Sequence, residues 1–236
     1  MINAPVREEL AKAGFRATQG VAAAAFRTVE SIDGERTDFS SRQKIVAIDA
    51  VLTEKRSRRS AKGLSQETAG LYVGPITVVR HARNSPALIA DVLPYSFWTS
   101  TRLSEFAVEE KKDFPHAQGG RLVARIAYED RYADGELAAT GRGRVRCDVT
   151  KVVPAASIDA RLSGLAAQID CSELLEVEER NIDARPAQQR FTDRNAYSHW
   201  YILDRGWSIA VQGEYPVRAP GLSFVRKWSS KLVSFD

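Results

Sequence analysis

The chain has 236 residues, of which 44% are apolar and 27% are charged, the balance of an ordinary folded protein. This composition excludes collagen and intrinsic disorder, and the length allows one large β-rich domain or two small ones. No run approaches the roughly 18 consecutive apolar residues that a membrane-spanning helix needs, so we expect no transmembrane segment.

Apolar residues near the start recur at three- and four-residue steps, which indicates one or two amphipathic helices. They are Val6, Leu10 and Ala13, followed by Val21, Ala25, Phe26 and Val29. We therefore expect residues 1–40 to form an N-terminal helical segment and residues 41–236 to form a single β-rich domain. The first twenty residues do not resemble a signal peptide. The protein is then cytoplasmic, or it is periplasmic or secreted if a signal peptide precedes Met1.

Between Leu52 and Lys62 the charges give a net surplus equal to the formal +4 of the whole chain. The cations of this basic run are Lys55, Arg56, Arg58, Arg59 and Lys62. Adjacent cations attract nucleic acid, phosphate or anionic membranes. Because the run contains no aromatic residue that would stack on bases, we interpret it as a solvated loop and expect no nucleic-acid partner.

Two further regions before residue 121 differ in their patterns. Residues 44–52 alternate in character and predict a strand. Residues 84–120 contain three prolines and the Gly119-Gly120 pair, which predict irregular structure.

The clearest hairpin signal in the chain is Asp134-Gly135, a two-residue turn between two alternating runs. This turn places Leu122 opposite Cys147 on an apolar face. The other face is cationic and includes Arg125, Arg142, Arg144 and Arg146. Arginines that lie directly opposite each other repel, so this face must be wet or occupied by an anion. We take the four arginines as candidate ligands of an anionic group.

Cys147 and Cys171 are too few for a disulfide scaffold and lack the spacing of a zinc site. Both fall at inward positions of strands that we expect to be neighbours, which favours a disulfide bond over two buried thiols. The bond would close a loop of about 25 residues and would stabilise the fold by on the order of 3 kcal/mol. A structural disulfide persists outside the reducing cytosol.

The last forty residues alternate most regularly. Tyr197, His199 and Tyr201 share one face, and Asp204-Arg205-Gly206 forms a turn before the return strand from Trp207. We therefore expect a meander over residues 121–236. The predicted fold class is α+β, predominantly antiparallel β, with a curved meander or half-barrel and an N-terminal helix or helices.

Five segments occur in a recognisable order from residue 140 onward. A cysteine-bearing strand is followed by Val152-Val153-Pro154-Ala155-Ala156, the strand ending at Cys171, the run from Trp200 to Trp207, and Lys231-Leu232-Val233-Ser234-Phe235. This order resembles bacterial cell-envelope proteins of unassigned function with a curved antiparallel C-terminal sheet. The resemblance implies an exported, periplasmic protein whose half-barrel cradles an apolar or amphipathic ligand, and it brings no catalytic residues.

The sequence contains none of the common motifs for catalysis, metal binding or cofactor binding. It lacks a two-histidine metal spacing, a G-x-S-x-G elbow, a phosphate-binding loop and a dinucleotide fingerprint. We expect no metal and no cofactor. The best candidate general base is His199, with Asp204 or Asp193 as its orienting carboxylate. The alternative is a strand histidine beside an aromatic cluster.

Three functions are compatible with these observations. The first is a non-catalytic envelope protein that binds an amphipathic or anionic small ligand, or a protein partner, on a curved sheet. The second is a hydrolase-type enzyme that uses His199. The third is a structural or assembly role in the envelope. We expect the first.

Overall fold

A computed structural model describes residues 4–15, 20–32, 35–48, 51–60, 65–84, 98–132, 135–179, 189–219 and 222–235. Within these ranges the chain forms one α-helix and twelve strands. They are α1 (Ala4–Lys12), β1 (Gly20–Ile32), β2 (Glu35–Ile48), β3 (Val51–Ser60), β4 (Ser65–Val73), β5 (Ile76–Asn84), β6 (Trp98–Lys112), β7 (Arg121–Tyr132), β8 (Leu137–Pro154), β9 (Leu165–Glu179), β10 (Gln189–Ile202), β11 (Trp207–Ala219) and β12 (Leu222–Phe235).

All strand pairs are antiparallel, and consecutive strands are neighbours in the sheet, as short connections favour. The last strand, β12, pairs with both β11 and β1, so the twelve strands close into a barrel. The prediction of a predominantly antiparallel β fold with a short N-terminal helix is confirmed. The pairing extends beyond the predicted half-barrel to a complete ring.

The helical segment predicted over residues 1–40 is wrong after Lys12. The second apolar set lies in β1, which pairs along its length with β2. The inner positions of β1 alternate, but they include Thr28 and Glu30 as well as Ala24 and Phe26. Because half of these buried residues are polar, a search for alternating apolar residues does not detect this strand.

Two regions interpreted as loops contain strands. Most of the basic run lies in β3, which pairs with β2 and β4, while residues 61 and 62 are outside the described residues. Within residues 84–120, where irregular structure was the prediction, β6 occupies Trp98–Lys112. Backbone pairing between neighbouring strands needs no apolar side chain, so a hydrophobic pattern does not report it. Of the strand predicted over residues 44–52, residues 44–48 lie in β2 and residues 51 and 52 lie in β3, while residues 49 and 50 are outside the described residues.

The helix α1 packs on the inner face of the barrel. Val6, Leu10 and Phe15 are each 2% exposed and belong to one cluster with inner residues of β6 to β10. Phe15 contacts the rings of Phe114 and Tyr201 edge to face, with centroids 5.4 and 5.7 Å away. Twelve strands enclose more space than lining side chains alone fill, and α1 occupies part of it. Among the described residues, no helix is long and apolar enough to cross a membrane.

A second apolar cluster lies beside the connection between β8 and β9. Ala155 and Leu162 of this connection pack with Ile202, Trp207 and Phe26. The cluster therefore joins β10 and β11 to β1 and stabilises the part of the ring where it closes.

Candidate functional site

From Arg121 to Asp130 the β7–β8 hairpin has the register predicted from the sequence, and the pairing shifts by one residue at Arg131, beside the turn. Leu122 pairs with Cys147, and both are fully buried on the inner face. Arg125 pairs with Arg144 on the outer face, and the four predicted arginines are all exposed. A slip of one residue would move the arginines into the core, so burial of the apolar face fixes this register.

Two carboxylates form ion pairs with arginines of this outer face. Glu109 of β6 binds Arg125 Nε at 3.3 Å and Arg144 Nε at 2.9 Å through its two oxygens. Asp148 binds the Nε atoms of Arg121 and Arg146, each at 2.7 Å. Partial burial would raise the pKa of Asp148, but hydrogen bonds from Arg146 and Arg121 hold it below its ordinary value. Sequence reasoning did not identify Glu109 as a partner.

The cationic face continues beyond the predicted residues. One row across β7, β8, β9 and β10 consists of Arg125, Arg144, Leu174 and Arg194. Leu174 is 50% exposed although it is apolar. We call the following set the arginine surface: Arg121, Arg125, Arg142, Arg144, Arg146, Leu174 and Arg194. Among the described residues, Arg142 and Arg194 are exposed and have no ion-pair partner.

The predicted disulfide bond is confirmed. Cys147 of β8 lies directly opposite Cys171 of β9, and their Cα atoms are 4.1 Å apart. The two residues are 0% and 4% exposed within the main cluster. The bond therefore links two central strands of the barrel from the inside.

A buried carboxylate lies two residues beyond the disulfide. Glu173 of β9 is 8% exposed. Its Oε1 accepts hydrogen bonds from Tyr197 Oη at 2.9 Å and Tyr128 Oη at 3.4 Å, and its Oε2 accepts one from Asn195 Nδ2 at 2.9 Å. No lysine, arginine or histidine in the described ranges forms an ion pair with it. Glu173 is two residues after the inward-facing Cys171, and residues two apart in a strand lie on the same face. This spacing was the available signal for the site, and sequence reasoning missed it.

Burial raises the pKa of the Glu173 carboxyl above its ordinary value of 4.5, although the three hydrogen bonds act in the opposite direction. The folded state therefore holds this proton more tightly than the unfolded state. We expect the free energy of unfolding to fall as pH rises from 4.5 through the native pKa of Glu173, and Glu173→Gln to remove this decrease. Urea unfolding across this pH range measures the free energy of unfolding of wild type and of the variant. As a control, His199→Gln should keep the decrease, and an unchanged pH dependence in Glu173→Gln would contradict the assignment.

The predicted catalytic arrangement around His199 is not assembled. His199 Nδ1 forms a 2.7 Å hydrogen bond with Ser208 Oγ of β11, a partner that sequence reasoning did not identify. Asp193 is six residues away on the same strand, roughly 20 Å at the rise of an extended chain. Asp204 lies in the turn after β10, and its carboxylate is directed at Gly164. A Cβ added at Gly164 would be 1.7 Å from Asp204 Oδ2. Neither carboxylate is placed to orient His199.

No group of three or more potential metal-ligating side chains occurs among the described residues. Comparison with protein-family models, curated proteins and solved structures finds no match to this chain. The resemblance to envelope proteins therefore stays a prediction.

Proposed function

We propose that this chain is a non-catalytic extracytoplasmic protein, and that its arginine surface binds an acidic, amphipathic segment of a protein partner. The observation that carries the proposal is the row in which exposed Leu174 lies between Arg144 and Arg194. A ligand that joins carboxylates to an apolar side chain complements this row in charge and in polarity.

The shape of the surface favours a protein over a small molecule. Small ligands bind in concave sites that enclose most of their surface. The arginine surface is on the outside of a closed ring, where an extended or helical segment can cover several strands at once. Glu109 and Asp148 neutralise part of the surface, whereas Arg142 and Arg194 form no ion pair among the described residues.

The disulfide supports a location outside the cytosol, because such a bond persists in an oxidising compartment. The hydrolase alternative has less support. Neither Asp193 nor Asp204 is placed to act on the pair of His199 and Ser208 as the carboxylate that orients the base in a catalytic triad. Loss of any esterase activity in His199→Gln would restore this alternative.

We expect the double variant Arg142→Glu with Arg194→Glu to bind an acidic peptide of alternating glutamate and leucine at least about tenfold more weakly than wild type. Binding is measured by fluorescence anisotropy of the labelled peptide at low salt. The matched control is Arg27→Glu with Lys231→Glu, an exposed cross-strand pair on β1 and β12. This control changes the net charge equally and should lower the affinity by no more than about twofold.

Two further measurements test the class of partner. A peptide in which glutamine replaces glutamate should bind weakly, and added salt should weaken binding of the acidic peptide. Equal losses in the two double variants would mean that only net charge matters and would contradict the proposal. Stronger binding to anionic phospholipid vesicles than to the acidic peptide would contradict the assignment of a protein partner.

A further inference from the structure

An aromatic row lies on the inner face of the barrel, away from the arginine surface. Tyr197 of β10, Gly213 of β11, Trp228 of β12 and Glu30 of β1 occupy successive positions in it. A Cβ at Gly213 would be 2.8 to 2.9 Å from three indole atoms of Trp228. The indole therefore lies across Gly213, between β12 and the strand that carries Tyr197.

Among the described residues, this part of the inner face is less covered than the part formed by β7 to β9. Tyr197 and Trp228 are half-buried, whereas the inner residues Leu122, Val145 and Ile169 of β7 to β9 are fully buried. The apolar core and α1 therefore cover the inner face more completely at β7 to β9 than at Tyr197 and Trp228. The concave side of a curved sheet with accessible aromatic rings is the usual setting of a small-ligand site.

The described residues of this inner face include two buried carboxylates, Glu30 and Glu173. Glu30 forms an ion pair with Arg226, whereas the hydrogen-bond donors to Glu173 are all neutral. The Arg226 guanidinium also lies over the ring of Tyr215, with Cζ 5.8 Å from its centroid. This face therefore already holds one cation against an aromatic ring. An ionised carboxylate buried without a cation is unfavourable, so a cationic ligand would supply the missing charge at Glu173.

We propose that the inner face binds a small organic cation of the alkylammonium class between the rings of Tyr197 and Trp228. The faces of both rings attract a cation. The Tyr197 hydroxyl donates to Glu173, which increases the electron density of its ring and places a carboxylate at the edge of the site. Tyr128 and Asn195 hold that carboxylate in position.

The experiment is calorimetric titration of the full chain with choline and with 3,3-dimethyl-1-butanol, the isostere in which an uncharged carbon replaces the nitrogen of choline. We expect choline to bind at least about tenfold more tightly than the isostere, because only choline gains the cation–π and carboxylate interactions. Glu173→Gln and Trp228→Leu should each lower the affinity for choline about tenfold. Trp200→Leu is the matched control, because Trp200 packs in the second apolar cluster, and it should keep the wild-type affinity.

Circular dichroism of each variant establishes that it is folded. Equal affinities for choline and the isostere would show an apolar site without charge recognition and would overturn the proposal. Absence of choline binding to wild type at millimolar concentrations, or full affinity in folded Glu173→Gln, would overturn it as well. If Glu173→Gln fails to fold, the comparison of choline with its isostere on the wild-type protein still decides the question.

Discussion

Replacement of Gly143 by alanine is expected to lower the free energy of unfolding by about 3 kcal/mol or more. A Cβ at this position would be 1.8 Å from the carbonyl oxygen of Leu174 and 2.8 Å from its carbonyl carbon. Both atoms belong to the backbone of the neighbouring strand. The contact can be relieved only by separating β8 from β9, close to the disulfide and to Glu173.

The same strand offers a matched control for this substitution. Gly141 is two residues earlier on the same face, and a Cβ there would meet only side-chain atoms of Val177 and Leu175, at 3.8 and 3.9 Å. Gly141→Ala should therefore stay within about 0.5 kcal/mol of wild type. Urea unfolding measures both variants under one set of conditions. Equal midpoints for Gly143→Ala and Gly141→Ala would contradict the close approach of β8 to β9.

Removal of the disulfide should have an effect of similar size. We expect the double variant Cys147→Ala with Cys171→Ala to lose about 3 kcal/mol of unfolding free energy. The bond joins residues separated by 24 positions, so breaking it restores conformational freedom to a long loop of the unfolded chain. The double replacement leaves no thiol behind, which keeps the measurement free of mixed disulfides.

Equilibrium urea unfolding of wild type and of the double variant measures this loss. Alkylation followed by mass spectrometry is the accompanying check. The unreduced protein should take up no label even when unfolded, and the reduced, unfolded protein should take up two, at Cys147 and Cys171. Labelling of either cysteine without reductant, or a double variant as stable as wild type, would contradict a stabilising bond.

The part of the fold that could be predicted is the part where several local signals agree. In β7 and β8 the alternation of apolar residues, the turn at Gly135 and the inward position of Cys147 all indicate one register, and that register is confirmed. In β1 the buried residues include Thr28 and Glu30, so the apolar residues alone do not alternate. They recur instead at three- and four-residue steps, which are typical of a helix. The disulfide was predictable for the same reason as the hairpin.

The candidate sites depend on contacts that local patterns do not contain. Glu109 reaches Arg125 and Arg144 at a point where the pairing of β6 with β7 shifts between Val108 and Glu110. Such a bulge changes which side chains share a face, and nothing in the sequence marks it. Glu173 of β9 accepts hydrogen bonds from side chains of β7 and β10, and its partner Tyr128 is 45 positions away along the chain. The four arginines were therefore predictable as a face, and their partners were not.

Closure of the ring by β1 and β12 has a consequence for how the molecule is made. Thr28 Oγ1 and Ser230 Oγ form a 2.8 Å hydrogen bond across 202 positions of sequence. During synthesis β1 emerges early and meets its second neighbour only when β12 follows, and until then the growing sheet presents two open edges. Such distant pairing is slow, and open edges recruit other chains. The two open edges are therefore the sites at which the chain is most exposed to aggregation until β12 is in place.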